Sequence, residues 1–447
     1  MKTIQYLMLC LCIGVIATGC KKGQEADVDE NFHPRIFDNG GVFTVPSRII
    51  NAGQSAIYSG LTFSPKPVEK TKISWKVNGT EVSTDTAYTF TPAGGGEFEI
   101  KVEATYNGQT STRISKVLVS PATYTPKAAP FVNMMYLSEN GVSANVDWTK
   151  VTHLAFSGAR VLPSGGIDFS KGNQNQNIDE LVARGHIAGV PVLLGITGTL
   201  SGIDGWSLYN SVDFGTVIKD AAKRAVLVQT LAAYVVARKL DGIDIMMTDL
   251  SNDSYDLSAA HAQAVGPFIS ELKAVLPAKS LVTATVTVNY MHWEYTSLLA
   301  ADWVNVHAFE NGAIGPGTPP AQQSPFNFMV DAATIWVNKG YPKTKIVLGI
   351  PAFGIRYLEL DASGNNLSWG SYNYVSFKDI LAADATAAQK EYTASLGKGV
   401  YFNGVPLVTQ KANYIKTNGF KGAYLWAGDY DATGTNSLMG TLSGILK

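Results

Sequence analysis

Between residues 131 and 447 the chain repeats one pattern eight times, a short apolar run followed by a longer segment that reads as helix. The runs are Val132 to Tyr136, Val151 to Phe156, Val190 to Ile196, Leu240 to Met246, Leu281 to Val288, Trp303 to Phe309, Ile346 to Phe353 and Gly422 to Trp426. Strands that are apolar throughout are covered on both faces, as in a parallel sheet packed under helices. Eight such units suit a closed (β/α)8 TIM barrel, whose functional groups gather at the C-terminal ends of the strands. A doubly wound open sheet has the same alternation, so the pattern by itself leaves both architectures open.

Residues 33–121 follow a different period. Ile73, Trp75 and Val77 alternate with polar residues up to Asn78-Gly79, Tyr88 and Phe90 alternate up to Pro92, and Phe98, Ile100, Val102 and Ala104 alternate up to Asn107-Gly108. Period two broken by Asn-Gly and Gly-rich turns predicts antiparallel strands with one buried face each, a β-sandwich. The region resembles immunoglobulin-like or polycystic-kidney-disease-type modules, with Trp75 as a core residue and the domain as a spacer. Residues 122–130, rich in Pro, Thr and Ala, read as a short semi-stiff linker. The chain is therefore multidomain, sandwich first and barrel second.

Ahead of both domains, Lys2 and the apolar run Ile4 to Ile16 have the length of a signal-peptide core and are too short to span a bilayer. The run ends in Ala17-Thr18-Gly19-Cys20, which resembles a bacterial lipobox, although Ala17 stands where Leu is usual. That resemblance implies removal of residues 1–19, lipidation of Cys20, and a flexible charged tether over 20–32. Acidic residues soon after the Cys resemble surface-export signals of outer-membrane lipoproteins. Cys10 and Cys12 fall in the removed part, so Cys20 alone remains and no intrachain disulfide is available. A net charge of −1 provides no basic excess for nucleic acid.

Four segments in order resemble landmarks of glycoside hydrolase family 18, the chitinases and endo-β-N-acetylglucosaminidases. They are Val151-Thr152-His153-Leu154-Ala155-Phe156, Val192 to Gly198, Lys345 to Gly354, and Gly419 to Trp426. A fifth, Asp241-Gly242-Ile243-Asp244-Ile245-Met246-Met247-Thr248-Asp249, is similar to the family's fourth-strand pattern D-G-x-D-x-D-x-E. The resemblance implies a barrel over 131–447 and a substrate-assisted reaction in which the Glu protonates the leaving oxygen and the preceding Asp orients the sugar's acetamido group. Alternate positions of a strand share a face, which is why such carboxylates come at every second residue.

Asp241 and Asp244 fit that pattern, but Met246 replaces the orienting Asp and Thr248 replaces the acid. A positioned general acid supplies on the order of 10²–10⁴-fold, about 3–5 kcal/mol, and a threonine hydroxyl is too weak an acid to replace it. Asp249 lies one residue late, which on a regular strand turns it to the opposite face unless a bulge re-aims it. Phe309 stands where many members carry a Tyr that bonds the acetamido group, with Glu310 at the acidic position beside it and His307 two residues before.

The apparatus for holding sugar remains, since pyranose C–H faces stack on aromatic rings. Trp426 resembles the floor of the family's central subsite, and Tyr136, Trp206, Tyr290, His292, Trp293 and Asp429, with Asp431 after it, are further mouth-side candidates. Asp244 reads as a structural carboxylate, and Trp148, Trp303 and Trp336 read as core. The six histidines show no metal-ligand spacing and the glycine-rich stretches match no phosphate or dinucleotide loop, so neither metal nor cofactor is implied. The leading expectation is a non-catalytic, surface-exposed outer-membrane lipoprotein that captures GlcNAc-containing glycans, N-glycans or chitin-type oligomers, beside an uptake system. An active glycosidase with its acid moved to Glu310 or Asp249, and a purely structural or protein-binding barrel, are the alternatives.

Overall fold

The computed structural model describes residues 32–45, 47–169, 174–197, 214–246, 255–286, 288, 290–311 and 314–447. Cys20, Trp206, Thr248 and Asp249 lie outside them. The chain divides into two compact units, one ending at Val117 and one running from Leu118 to Lys447, with Ile49–Gly53 and Pro92–Gly96 assigned to the second.

The N-terminal unit is built of antiparallel sheets. Its largest orders the strands Ser47–Asn51, Gln109–Ser120, Gly96–Tyr106, Lys72–Val77 and Thr80–Ser83, and two-stranded sheets pair Arg35–Asp38 with Leu61–Ser64 and Ala56–Tyr58 with Tyr88–Phe90. Asn78 and Gly79 both take positive φ, 48° and 83°, the geometry of a tight two-residue hairpin turn. Trp75 is fully buried against Phe43, Tyr58 and Tyr88, and its indole N–H donates to the Asp85 carbonyl at 2.9 Å.

The second unit is a closed barrel of eight parallel strands: β1 (Val132–Leu137), β2 (His153–Val161), β3 (Val192–Thr197), β4 (Gly242–Ile245), β5 (Leu281–Val286), β6 (Trp303–Val306), β7 (Ile346–Pro351) and β8 (Gly422–Trp426). Each pairs with the next, and β8 pairs with both β7 and β1, which closes the ring; a two-residue strand, Ile167–Asp168, pairs antiparallel with the end of β2. A doubly wound sheet is thereby excluded. Strand side chains divide by alternation. Ile243 and Ile245 of β4 join the layer between barrel and helices, whereas Val132, Met134 and Tyr136 of β1, with Ala155, Leu193, Val347 and Tyr424, fill the barrel interior. Trp303 belongs to the interior and Trp336 to the outer layer, both nearly or fully buried.

Four strands stop earlier than their apolar runs: β4 at Ile245, β5 at Val286, β6 at Val306 and β7 at Pro351. After β6, residues 307–310 leave the ladder and Glu310 adopts a left-handed backbone, φ 62°. After β7 the chain also builds a four-stranded antiparallel sheet from Phe353–Tyr357, Tyr372–Ser376, Tyr392–Thr393 and Val400–Tyr401 before the helix Val405–Asn418 resumes the barrel. The linker docks on the barrel, as Tyr124 donates to Asp241 Oδ1 at 2.6 Å and Lys127 N–H donates to the Gly189 carbonyl at 2.8 Å.

Candidate functional site

The two acidic residues retained from the fourth-strand motif sit at opposite ends of the problem. Asp241 precedes β4 and accepts from Tyr124, from the Val192 N–H at 2.7 Å and from His186 Nε2 at 2.9 Å, so it pins strand starts to the linker. Gly242 follows because nothing larger fits, since a Cβ there would lie 2.0 Å from the Leu281 carbonyl oxygen.

Asp244 points into the barrel and is fully buried. Its Oδ2 accepts from the Tyr136 hydroxyl at 2.8 Å, and its Oδ1 accepts from the Thr283 hydroxyl and from Asn305 Nδ2 at 3.0 Å. Asn305 Nδ2 also donates to the Tyr136 oxygen at 2.8 Å, while its own Oδ1 takes the Trp303 indole N–H at 2.9 Å. Burial pushes the Asp244 carboxyl up to about 6, against the pull of these three donors. The network is closed on itself, and a carboxyl this enclosed holds neighbouring side chains in place rather than meeting solvent.

Above it, at the C-terminal end of the strands, opens a cavity of about 350 Å³ lined by Tyr136, Met246, Thr285, His307, Phe309, Glu310, Phe353, Tyr374, Tyr424, Trp426 and Tyr430. That volume falls within the roughly 300–1,000 Å³ of small-molecule sites, and the wall is aromatic with a few polar atoms, the chemistry that suits a pyranose. Trp426 and Tyr136 meet at 5.4 Å between ring centroids, and Met246 packs over Gly195, where a Cβ would come 2.2 Å from the Met246 sulfur. Where the motif has a carboxylate, the cavity therefore has a thioether.

Glu310 carries the cavity's solvent-facing carboxylate. Its Oε1 accepts from the Tyr374 hydroxyl at 2.6 Å, its Oε2 lies 3.0 Å from His307 Nε2, and Gln323 Oε1 takes its backbone N–H at 2.8 Å. A non-glycine residue in the left-handed region stores strain, and these three contacts over-determine its position. Burial, and after it the Glu310 carboxylate, push the Tyr374 phenol well above its ordinary range.

Of the residues singled out in the sequence, Trp426, Tyr136, His307, Phe309, Glu310 and Met246 come together on this cavity. Asp429 is not among its lining residues. It accepts from the Ser138 N–H at 2.9 Å and from the Ser138 hydroxyl, tying the end of β1 to the loop after β8. Asp431 caps the final helix through the N–H groups of Leu438 and Met439. Trp293 lies on the short helix Tyr290–Glu294, two-thirds exposed and away from the lining set, with its carbonyl bonded by Lys339 Nζ at 3.1 Å. His292 is buried against it, and the Tyr290 side chain is outside the described residues. Sequence reasoning missed Tyr374, Tyr424, Tyr430, Phe353 and Thr285. The alternation of Tyr372 and Tyr374, in a gap too long for one helix, was the available signal for the first.

Fold and site together define a closed parallel barrel with an aromatic, sugar-sized cavity at the C-terminal ends of its strands. A family model described as Glycosyl hydrolases family 18 matches residues 132–431, and the chain belongs to that family. A curated relative, a probable endochitinase of Caenorhabditis elegans, is 24% identical over 271 residues, covering 52% of this chain and 44% of the relative. The chain thus spans under half of that relative's length. Among solved structures, a mutant class V chitinase from Nicotiana tobaccum in complex with NAG4 has a TM-score of 0.55 at 20% identity, covering 71% of this chain and 99% of that one. A chitinase-like agglutinin from Robinia pseudoacacia has a TM-score of 0.56 at 18% identity, covering 71% and 100%.

Proposed function

We propose that this protein binds GlcNAc-containing glycans without cutting them, and does so from a lipid anchor on the outer membrane at the cell surface, where it hands N-glycans or chitin-type oligomers to an uptake system. The observation that carries the reading is the aromatic cavity under Trp426 with Met246 in the place of the motif's orienting carboxylate. In the sequence, Thr248 holds the position of the acid as well. Loss of the acid removes on the order of 10²–10⁴-fold of rate, and loss of the orienting group removes further assistance, while the stacking surface for sugar is kept. The chitinase-like protein from Robinia pseudoacacia on the same fold is called an agglutinin, a precedent for a binding role on a barrel of this shape.

The rival reading is a hydrolase with a relocated acid. Glu310 favours it, being a carboxylate on the cavity wall, but both its oxygens are engaged by Tyr374 and His307.

The test is overnight incubation of stoichiometric mature protein with high-mannose N-glycopeptides and chitin oligomers, read by mass spectrometry, followed by calorimetric titration of whatever stays intact. The expected result is no cleavage and measurable binding that Trp426→Ala weakens by about 1–3 kcal/mol, the range for a large apolar contact. A cut chitobiose linkage that disappears in Glu310→Gln would establish the hydrolase instead. Neither cleavage nor binding would leave the structural reading of the barrel.

A further inference from the structure

Lys411, on the helix Val405–Asn418, is completely buried, and its Nζ donates to three neutral oxygens. They are the Ser324 carbonyl at 2.6 Å, the Ser324 hydroxyl at 2.7 Å and Asn403 Oδ1 at 2.6 Å. A buried ammonium is costly, and an apolar side chain of the same length would avoid that cost, so what sets Lys411 apart is the set of bonds it makes. Those bonds lead to the cavity. Residues 307–310 leave the ladder after β6, so their backbone groups need partners elsewhere. The Ser324 hydroxyl donates to the Ala308 carbonyl at 2.8 Å, and Gln323 accepts the Glu310 N–H at 2.8 Å through its side chain and the Asn311 N–H at 2.9 Å through its carbonyl. Gln323 Nε2 also reaches the Phe353 carbonyl at 3.3 Å. Phe309, Glu310 and Phe353 line the cavity, whereas Gln323 and Ser324 are fully buried and do not.

We propose that Lys411 is a positioning residue for the cavity wall, fixing Ser324 so that the segment Ala308–Glu310 keeps its glycan-binding arrangement. Resting on the glycan-binding reading above, this assignment adds a proton that governs the site from outside it.

An ammonium has three N–H donors, which match the three oxygens around it and leave the single Ser324 hydroxyl proton for Ala308. A neutral amine has two donors and a lone pair, so one of its partners must donate to it. Of the three oxygens only the Ser324 hydroxyl carries a proton, and in turning to the amine it lets go of the Ala308 carbonyl beside Phe309. Burial pulls the Lys411 ammonium down to about 7, against the attraction of the exposed Glu391 carboxylate, so the exchange falls near neutral pH. The other ionisable groups on its own helix and on the elements packed against it are Tyr414, Lys416, the exposed Asp331 of Phe326–Asn338 and Tyr424 of β8, and Glu391 alone acts on the ammonium. Glycan affinity should therefore fall as pH rises through about 7.

The experiment titrates tetra-N-acetylchitotetraose calorimetrically into the natural protein, Lys411→Met and Ser324→Ala at pH 6 and pH 9, with thermal melts at both. The natural protein should lose affinity about three- to tenfold between the two, the worth of one hydrogen bond. Both variants should bind at either pH about as weakly as the natural protein does at pH 9. Its melting temperature should move the other way. An unfolded lysine keeps its proton to about 10.5 and the folded one sheds it near 7, so stability rises with pH between those values, relative to Lys411→Met. Affinity that falls while stability rises is a signature that loosened packing alone does not give. Equal affinity of the natural protein at pH 6 and pH 9 would overturn the role of Lys411 while the glycan-binding reading stands. So would a pH dependence that persists in full in Lys411→Met, which would trace it to His307 or Asp244. If Lys411→Met fails to fold, Ser324→Ala decides, and a natural pH profile in that variant would overturn the relay. If the natural protein bound the probe at neither pH, the glycan-binding reading would fall and this inference with it.

Discussion

Asp244 is a fully buried carboxyl with three donors, and its enclosure makes its proton count differ between folded and unfolded chains. The folded value is raised from 3.8 to about 6, so the folded state holds the proton more tightly. The contribution of this group to stability is then fully present below about pH 4 and lost as pH rises through 6, a change of about 3 kcal/mol. Urea unfolding of the natural protein and Asp244→Asn at pH 4 and pH 7.5 should show the natural protein losing about that much relative to the variant. Parallel pH profiles would mean the carboxyl is charged throughout and the network is an ionic one. The alternation of the fourth-strand motif made the inward aim of Asp244 legible in the sequence. Its partners were not, because residues 136, 283 and 305 meet it only when the barrel closes.

The strands themselves were the most legible elements, and Gly242 shows how much a single position in one of them can matter. β4 passes β5 so closely that a methyl group at 242 would overlap the Leu281 carbonyl. Gly242→Ala should therefore cost roughly 3 kcal/mol or more by forcing the two strands apart, read as a large drop in melting temperature or loss of soluble protein. A melting temperature within about 2 °C of the natural one would show that the ladder yields at that point. The sheet between Phe353 and Tyr401 was the element least legible. Its strands are short, Tyr372–Ser376 is only partly buried, and their partners lie far along the chain, so beyond the brief alternation of Tyr372 and Tyr374 neither period nor a turn signal marks them. Tyr374 comes from that sheet, and with it the hold on Glu310.

At the scale of the whole molecule the order of sandwich and barrel follows from the change of hydrophobic period near residue 121, and the family from five short segments of the barrel. What the cavity does was less legible, because a motif records which carboxylates are missing but not which aromatic and polar side chains the closed barrel gathers around the gap. Attachment is a separate matter, argued from the first twenty residues. Among the described residues no helix is long and apolar enough to cross a membrane. In the proposed reading the hold on the membrane is the lipid on Cys20, each buried CH2 of which contributes about 0.8 kcal/mol. Cys20→Ala removes the acceptor while leaving both folded domains untouched. In fractionated cells the natural protein should sediment with the outer membrane, and the variant should move to the soluble fraction or remain unprocessed with its signal segment attached. A processed variant that still sediments with the outer membrane would show that something other than lipidation holds the protein there, and the lipoprotein reading would have to be given up.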